Sequence, residues 1–182
     1  MEQFSKRMMD SESTNILTHP GTKEFKQLLK DAQKLITAYL DRQVKSGVQE
    51  PGHGSDHMEM TLYFFNRIAN GLKLSEEKKD VGSLAAMLHD IWRENIEFSH
   101  TKKSAELANK ILDESPLFND TFHLSDEIKE IVTTMVSLHS IQSNRTVNVS
   151  IPEEWSTTLL ALQVADLISQ AGVIGYLRRY SY

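Results

Sequence analysis

LAAMLHDIWREN, residues 84–95, begins like the inside of a protein and ends in charge. Val81, Leu84, Ala85 and Leu88 recur at steps of three and four, the spacing of one helical face, and the same face predicts Trp92 as its next member. His89 and Asp90 then stand side by side after an apolar run, where burying both without partners would be expensive. Either the pair sits harmlessly at a helix end, or something binds there.

The same periodicity extends in both directions. Upstream, Phe25, Leu28, Leu29, Ala32, Leu35, Ile36, Tyr39 and Leu40 predict an amphipathic helix from Thr22 to near Gly47, ahead of the turn-forming EPGHGSD. A second helix opens at Asp56 or His57 and runs to Gly71, with Thr61, Phe64, Phe65, Ile68 and Leu72 as its stripe and His57 one turn before Thr61. Ser75 starts the helix that carries the opening stretch. Its capping box is partial, because the third helical position is Lys78 rather than an acid. Downstream, residues 101–115 form a helix ended by Pro116, Ser125 starts SDEIKEIVTTMVSLHS, and a last helix runs from Pro152 with a possible break at Gly172. IQSNRTVNVSIP between them is turn-like. The expected fold class is all-α, one bundle of about six or seven helices over residues 21–182, behind a polar arm at residues 1–20.

Composition narrows the function. A formal charge of -5 and a pI near 5.8 argue against broad nucleic-acid binding, which needs excess Lys and Arg. With no cysteine, thiolate metal sites and cysteine nucleophiles are excluded. No apolar run approaches signal-peptide or membrane-span length, so a soluble, cytoplasmic chain is expected.

Of the seven histidines, His19, His53 and His123 read as ordinary exposed or hydrogen-bonded residues. His57 differs because it begins an apolar stripe, and Asp166 because it lies inside LLALQVADLIS. An ionised carboxylate in such company needs a cation or several donors. One divalent metal can satisfy two imidazoles and two carboxylates at once, and this donor set suits Mn, Fe, Co, Ni or Zn. On spacing alone a second reading stands beside it: a plain His–Asp hydrogen bond, with Asp166 capping a break in the last helix.

The order His57, then His89-Asp90 in LAAMLHDIW, then Asp166 in LQVADLISQAG, resembles the H…HD…D signature of the HD-domain superfamily of metal-dependent phosphohydrolases. GHGSDHMEMTLYFFNRI, SHTKKSAELANKIL and IVTTMVSLHS resemble further helices of small stand-alone bacterial members, so the likeness covers about residues 50–178. It implies an all-helical fold, a divalent metal on His57, His89, Asp90 and Asp166, and hydrolysis of a phosphoester or phosphoanhydride of a nucleotide or related small phosphate. Manganese leads the metals implied, with Mg, Co, Ni, Zn and Fe as alternatives. Relatives commonly carry ADRLDA around the last aspartate. Here ADLISQA puts Leu167 and Ser169 in the charged places.

Under this reading Asp90 orients the attacking water, and Glu94, one helical turn beyond it, is a candidate general base or a solvated helix-end residue. Arg93 offers a bidentate phosphate grip. Lys102 and Lys103 open the next helix, whose N-terminal donors favour an anion. His100 and His139 are candidates for substrate contact or a second metal, giving H…HD…H…H…D, a pattern shared by two-metal hydrolases and some di-iron oxygenases of the superfamily. One tight metal is the expected arrangement. A di-iron oxygenase and a non-catalytic helical module with a vestigial site remain the alternatives. Tyr176, Tyr180 and Tyr182 suit a partner subunit, a core or a frayed tail equally, so monomer and homodimer both stand.

Overall fold

The computed structural model describes residues 18–49, 51–93, 100–140 and 150–171. Within them the chain forms six α-helices and no strand: α1 Lys23–Lys45, α2 Ser55–Gly71, α3 Glu76–Leu88, α4 His100–Glu114, α5 Asp126–Leu138 and α6 Ser156–Gln170. Short 3₁₀ turns at Pro51–His53 and Glu153–Trp155 precede α2 and α6. None of the described helices is long and apolar enough to cross a membrane.

Local chemistry sets the helix ends. Thr22, Ser75 and Ser125 each accept a backbone N–H three residues on, from Phe25, Lys78 and Ile128 respectively, as N-caps do. Pro116 does stop α4, but a wide π-type turn at Leu117–Thr121 follows it, and there Asn119 Nδ2 donates to the carbonyls of Leu112, Asp113 and Ser115. A side-chain amide thus satisfies carbonyls that a helix C-terminus leaves unpaired.

α3 is the centre of the bundle. It packs against α1, α2, α5 and α6, and every residue from Asp80 to Leu88 is buried. The predicted single apolar face is therefore corrected: the second half of α3 is covered on all sides. Small residues allow this, above all Gly82, where a Cβ would lie 2.1 Å from Phe65 Cζ and 2.8 Å from Thr158 Cγ2. The helix also ends sooner than its pattern suggests. It stops at Leu88, so Trp92 is not on its face. Ile91 fills the core instead, and the Trp92 backbone is tied to α4 by Ser104, whose Oγ accepts from Trp92 N and donates to Trp92 O.

Two further stripe members fall outside the core. Leu35 and Leu72 are 39% and 50% exposed, while Met58 and Ala69 take the buried places on α2. The region 141–149, Gly172 and the three C-terminal tyrosines lie outside the described residues.

Candidate metal centre

Five helix ends meet at one place. His57 comes from the first turn of α2, His89 caps the C-terminus of α3 with Asp90 directly after it, and His100 opens α4. His139 caps the C-terminus of α5, and Asp166 lies in the last turns of α6. α6 runs unbroken past Asp166, so that residue caps no break.

The ligand atoms of His57, His89, Asp90 and Asp166 all lie within 4.8 Å of one another, and all four residues are buried. His57 Nε2 is 3.1 Å from both His89 Nε2 and Asp166 Oδ1, and 3.5 Å from Asp90 Oδ2. His89 Nε2 is 3.4 Å from Asp166 Oδ1 and 3.8 Å from Asp90 Oδ2. Ligands about 2.1 Å from a common ion stand roughly 3.0–3.4 Å apart, so these separations suit a shared cation.

Tautomers strengthen the case. His89 Nδ1 bonds the Ala86 carbonyl at 2.8 Å and His139 Nδ1 bonds the Val136 carbonyl at 2.6 Å. A carbonyl only accepts, so both Nδ1 atoms carry the hydrogen and each neutral ring presents a bare Nε2. His57 follows by one more step. Ser169 Oγ donates to the Asp166 carbonyl at 2.7 Å, which leaves it to accept from His57 Nδ1 at 3.2 Å and from Thr61 Oγ1 at 3.0 Å. Three imidazole lone pairs and two carboxylates therefore converge. Among the described residues, His139 Nε2 and Asp90 Oδ1 have no hydrogen-bond partner, although they are buried and 3.4 Å apart. Arg93 Nη1 and Gln170 Nε2 donate one hydrogen bond each to Asp90 Oδ2 and Asp166 Oδ1, and the acceptors that remain need a cation or a shared proton.

The model of the HD domain family matches residues 54–171, most of the chain and all six of these side chains. The chain belongs to the HD domain family. That membership indicates metal-dependent phosphohydrolases, and the buried His/Asp group of this HD domain fits a divalent metal. No curated protein and no solved structure matches the chain.

Electrostatics in this HD domain follow the geometry. Burial pushes the Asp90 carboxyl up, but His89, His139, His53 and His57 outweigh it and hold its pKa well below the usual range. Burial opposes ionisation of Asp166 too, and His57 and His89 outweigh it in the same direction. For His57, burial lowers the pKa, yet hydrogen bonds to Asp166 and Asp90 leave it raised. A proton and a metal thus compete for the same lone pair.

Beside this group, Asp90 forms a second one with His100 and His139, whose Nε2 atoms lie 3.9 and 3.4 Å from Asp90 Oδ1. Both histidines line a cavity of about 350 Å³ together with Arg93, Ser140, Gln163, Asp166, Leu167 and Gln170. Arg93 commits Nη1 to Asp90 Oδ2 at 3.1 Å, so one of its donors is spent inside the site. Lys102 and Lys103 do not line this cavity. Lys102 is 79% exposed beside Glu106, and the Lys103 ammonium sits 5.9 Å from the Trp92 ring centre. Glu94 lies outside the described residues.

His53 is hydrogen-bonded, one of the two states expected of it, but its partner is Asp90. It belongs to the site, with Nδ1 3.0 Å from Asp90 Oδ2, and burial lowers its pKa more than the Asp90 hydrogen bond raises it. Its spacing of four from His57 was the available signal, masked because His53 sits in the 3₁₀ turn and not on the apolar stripe. Gln49 gave no signal. Its amide bonds Asp90 across 41 residues.

Proposed function

We propose that this protein is a metal-dependent phosphohydrolase that cleaves a phosphoester or phosphoanhydride of a nucleotide or related small phosphate. The carrying observation is the convergence of His57, His89, Asp90 and Asp166 beside a cavity lined by Arg93, His100 and His139. A divalent cation bound by those four residues supplies Lewis acidity, lowering the pKa of water and neutralising charge on the phosphoryl group. The chain's own residues do the rest. Asp90 Oδ1 and His139 Nε2, buried acceptors without a hydrogen-bond partner among the described residues, orient water beside the cavity. Arg93 retains guanidinium donors beyond the one given to Asp90 and grips a phosphate oxygen. Gln163, Gln170 and Ser140 supply neutral polar groups for the remainder of the substrate.

The test is metal analysis of protein purified without chelators, then release of phosphate and pyrophosphate from a nucleotide panel with Mn, Co, Ni or Mg, manganese first. Hydrolysis that stops with chelator and returns with metal is expected. Stoichiometric metal without any hydrolysis would favour a binding module instead.

A second arrangement has its own support. Asp90 turns Oδ2 toward His57 and His89 and Oδ1 toward His100 and His139, so that His57, His89, Asp90 and Asp166 would hold one cation and Asp90, His100 and His139 a second. Two metals per chain, with His100→Ala and His139→Ala each losing one, would establish it. Oxygen consumption by the iron-loaded protein would identify the oxygenase form.

Ser169 offers a further check, because it is the acceptor that fixes the His57 tautomer. Ser169→Ala is expected to weaken metal binding roughly 10–100-fold, the range found when a ligand histidine loses its outer partner. Isothermal titration with Mn or Co reads this directly, with helicity unchanged by circular dichroism.

A further inference from the structure

We infer that Gln49 is a positioning residue of the metal centre, its buried amide fixing the rotation of the Asp90 carboxylate. The inference rests on the metal-dependent reading above and extends it to a residue ahead of the family match at 54–171.

Placement of Gln49 begins in the local sequence. α1 ends at Lys45, and Gly47 takes a φ of +73°, a conformation that costs other residues strain. The Gly47 N–H bonds the Val44 carbonyl and the Val48 N–H bonds the Gln43 carbonyl, both at 3.0 Å, which is a Schellman closure. The Gln49 N–H joins the same Gln43 carbonyl at 3.2 Å. The chain thus leaves α1 in a fixed direction, and the Gln49 side chain turns inward until only 3% of the residue is exposed.

Inside, the amide makes three hydrogen bonds to backbone. Nε2 donates to the carbonyls of His53, at 2.8 Å, and Asp90, at 3.0 Å, while Oε1 accepts from Arg93 N at 3.0 Å. Both amide protons are then used. Beyond the end of α3 at Leu88, Gln49 bonds the Asp90 carbonyl and the Arg93 N–H. The segments gripped are those whose side chains hold Asp90 Oδ2, His53 through Nδ1 at 3.0 Å and Arg93 through Nη1 at 3.1 Å. One amide therefore sets the spacing between the two groups that pin one carboxylate oxygen. With Oδ2 pinned, Oδ1 is left facing His139 and His100.

A residue that only stitched the loop would affect stability alone. A positioning residue also affects the metal. The experiment titrates Co(II) into the wild-type protein, Gln49→Met, which keeps the length and loses all three bonds, and Leu112→Ala, a buried α4 position used as a stability control. Gln49→Met is expected to bind Co(II) at least about tenfold more weakly, with a changed visible absorption spectrum and unchanged helical circular dichroism. On a hydrolysed substrate, kcat per metal-loaded chain falls more than KM changes. Leu112→Ala is expected to lower the melting temperature while keeping the wild-type Co(II) spectrum.

Wild-type affinity and spectrum in Gln49→Met, with only a lower melting temperature, would overturn the inference. If that variant does not fold, Gln49→Glu, which keeps the acceptor and loses the donors, is judged by the same two readouts. Wild-type protein that binds Co(II) but hydrolyses nothing sinks the phosphohydrolase reading, and the titration still decides on Gln49. Wild-type protein that binds no Co(II) overturns both.

Discussion

Asp90→Ala is expected to lower phosphohydrolase turnover by roughly 10³-fold or more, about 4 kcal/mol of transition-state stabilisation at 1.36 kcal/mol per decade. Asp90 is the one residue shared by both candidate ligand groups, so its loss removes a ligand from each. It also removes the acceptor held by His53 and Arg93. The fold is expected to survive, because α3 ends at Leu88, before Asp90. Thermal melting separates the two effects. Metal at about 100 times its Kd stabilises the wild-type protein by roughly 2.7 kcal/mol, and this gain disappears in the variant while the apo melting temperature changes little. An Asp90→Ala protein with full activity would end the proposed mechanism.

Gly82→Ala is expected to destabilise the protein by about 2 kcal/mol, although alanine is the better helix former by about 1 kcal/mol. The added methyl would sit 2.1 Å from Phe65 Cζ and 2.8 Å from Phe65 Cε2 and Thr158 Cγ2. Phe65 is fully buried, so its ring cannot swing into solvent, and α2 or α6 must shift away from α3. At roughly 2–4 °C per kcal/mol the melting temperature falls by about 4–8 °C. Those helices carry His57 and Asp166, so metal affinity is expected to fall with it. A Gly82→Ala protein as stable as wild type would contradict the close packing of α2 and α6 on α3.

These predictions draw on different amounts of sequence information. Asp90 could be singled out from LAAMLHDIW alone, because a polar pair after an apolar run is a local anomaly. Gly82 could not. A glycine inside a helix pattern is tolerated for many reasons, and only the approach of Phe65 and Thr158 gives this one its role. Trp92 shows the opposite failure, since its spacing fits the α3 face but the helix had ended four residues earlier. Likewise Lys102 and Lys103 suited an anion by position in α4, while their side chains lie along the surface and over Trp92.

By itself the sequence determined the helical elements, the starts of three of them at Thr22, Ser75 and Ser125, and the family to which the chain belongs. Periodicity and capping depend on residues three and four apart, and such relations survive in a linear text. Tertiary structure alone decided the roles of His53, Gln49 and Ser169, and which imidazole nitrogen each histidine presents. Ser169 meets His57 across 112 residues and Gln49 meets Asp90 across 41. A lone pair's direction is set by the partner on the far side of the ring, and only the folded chain brings that partner into place.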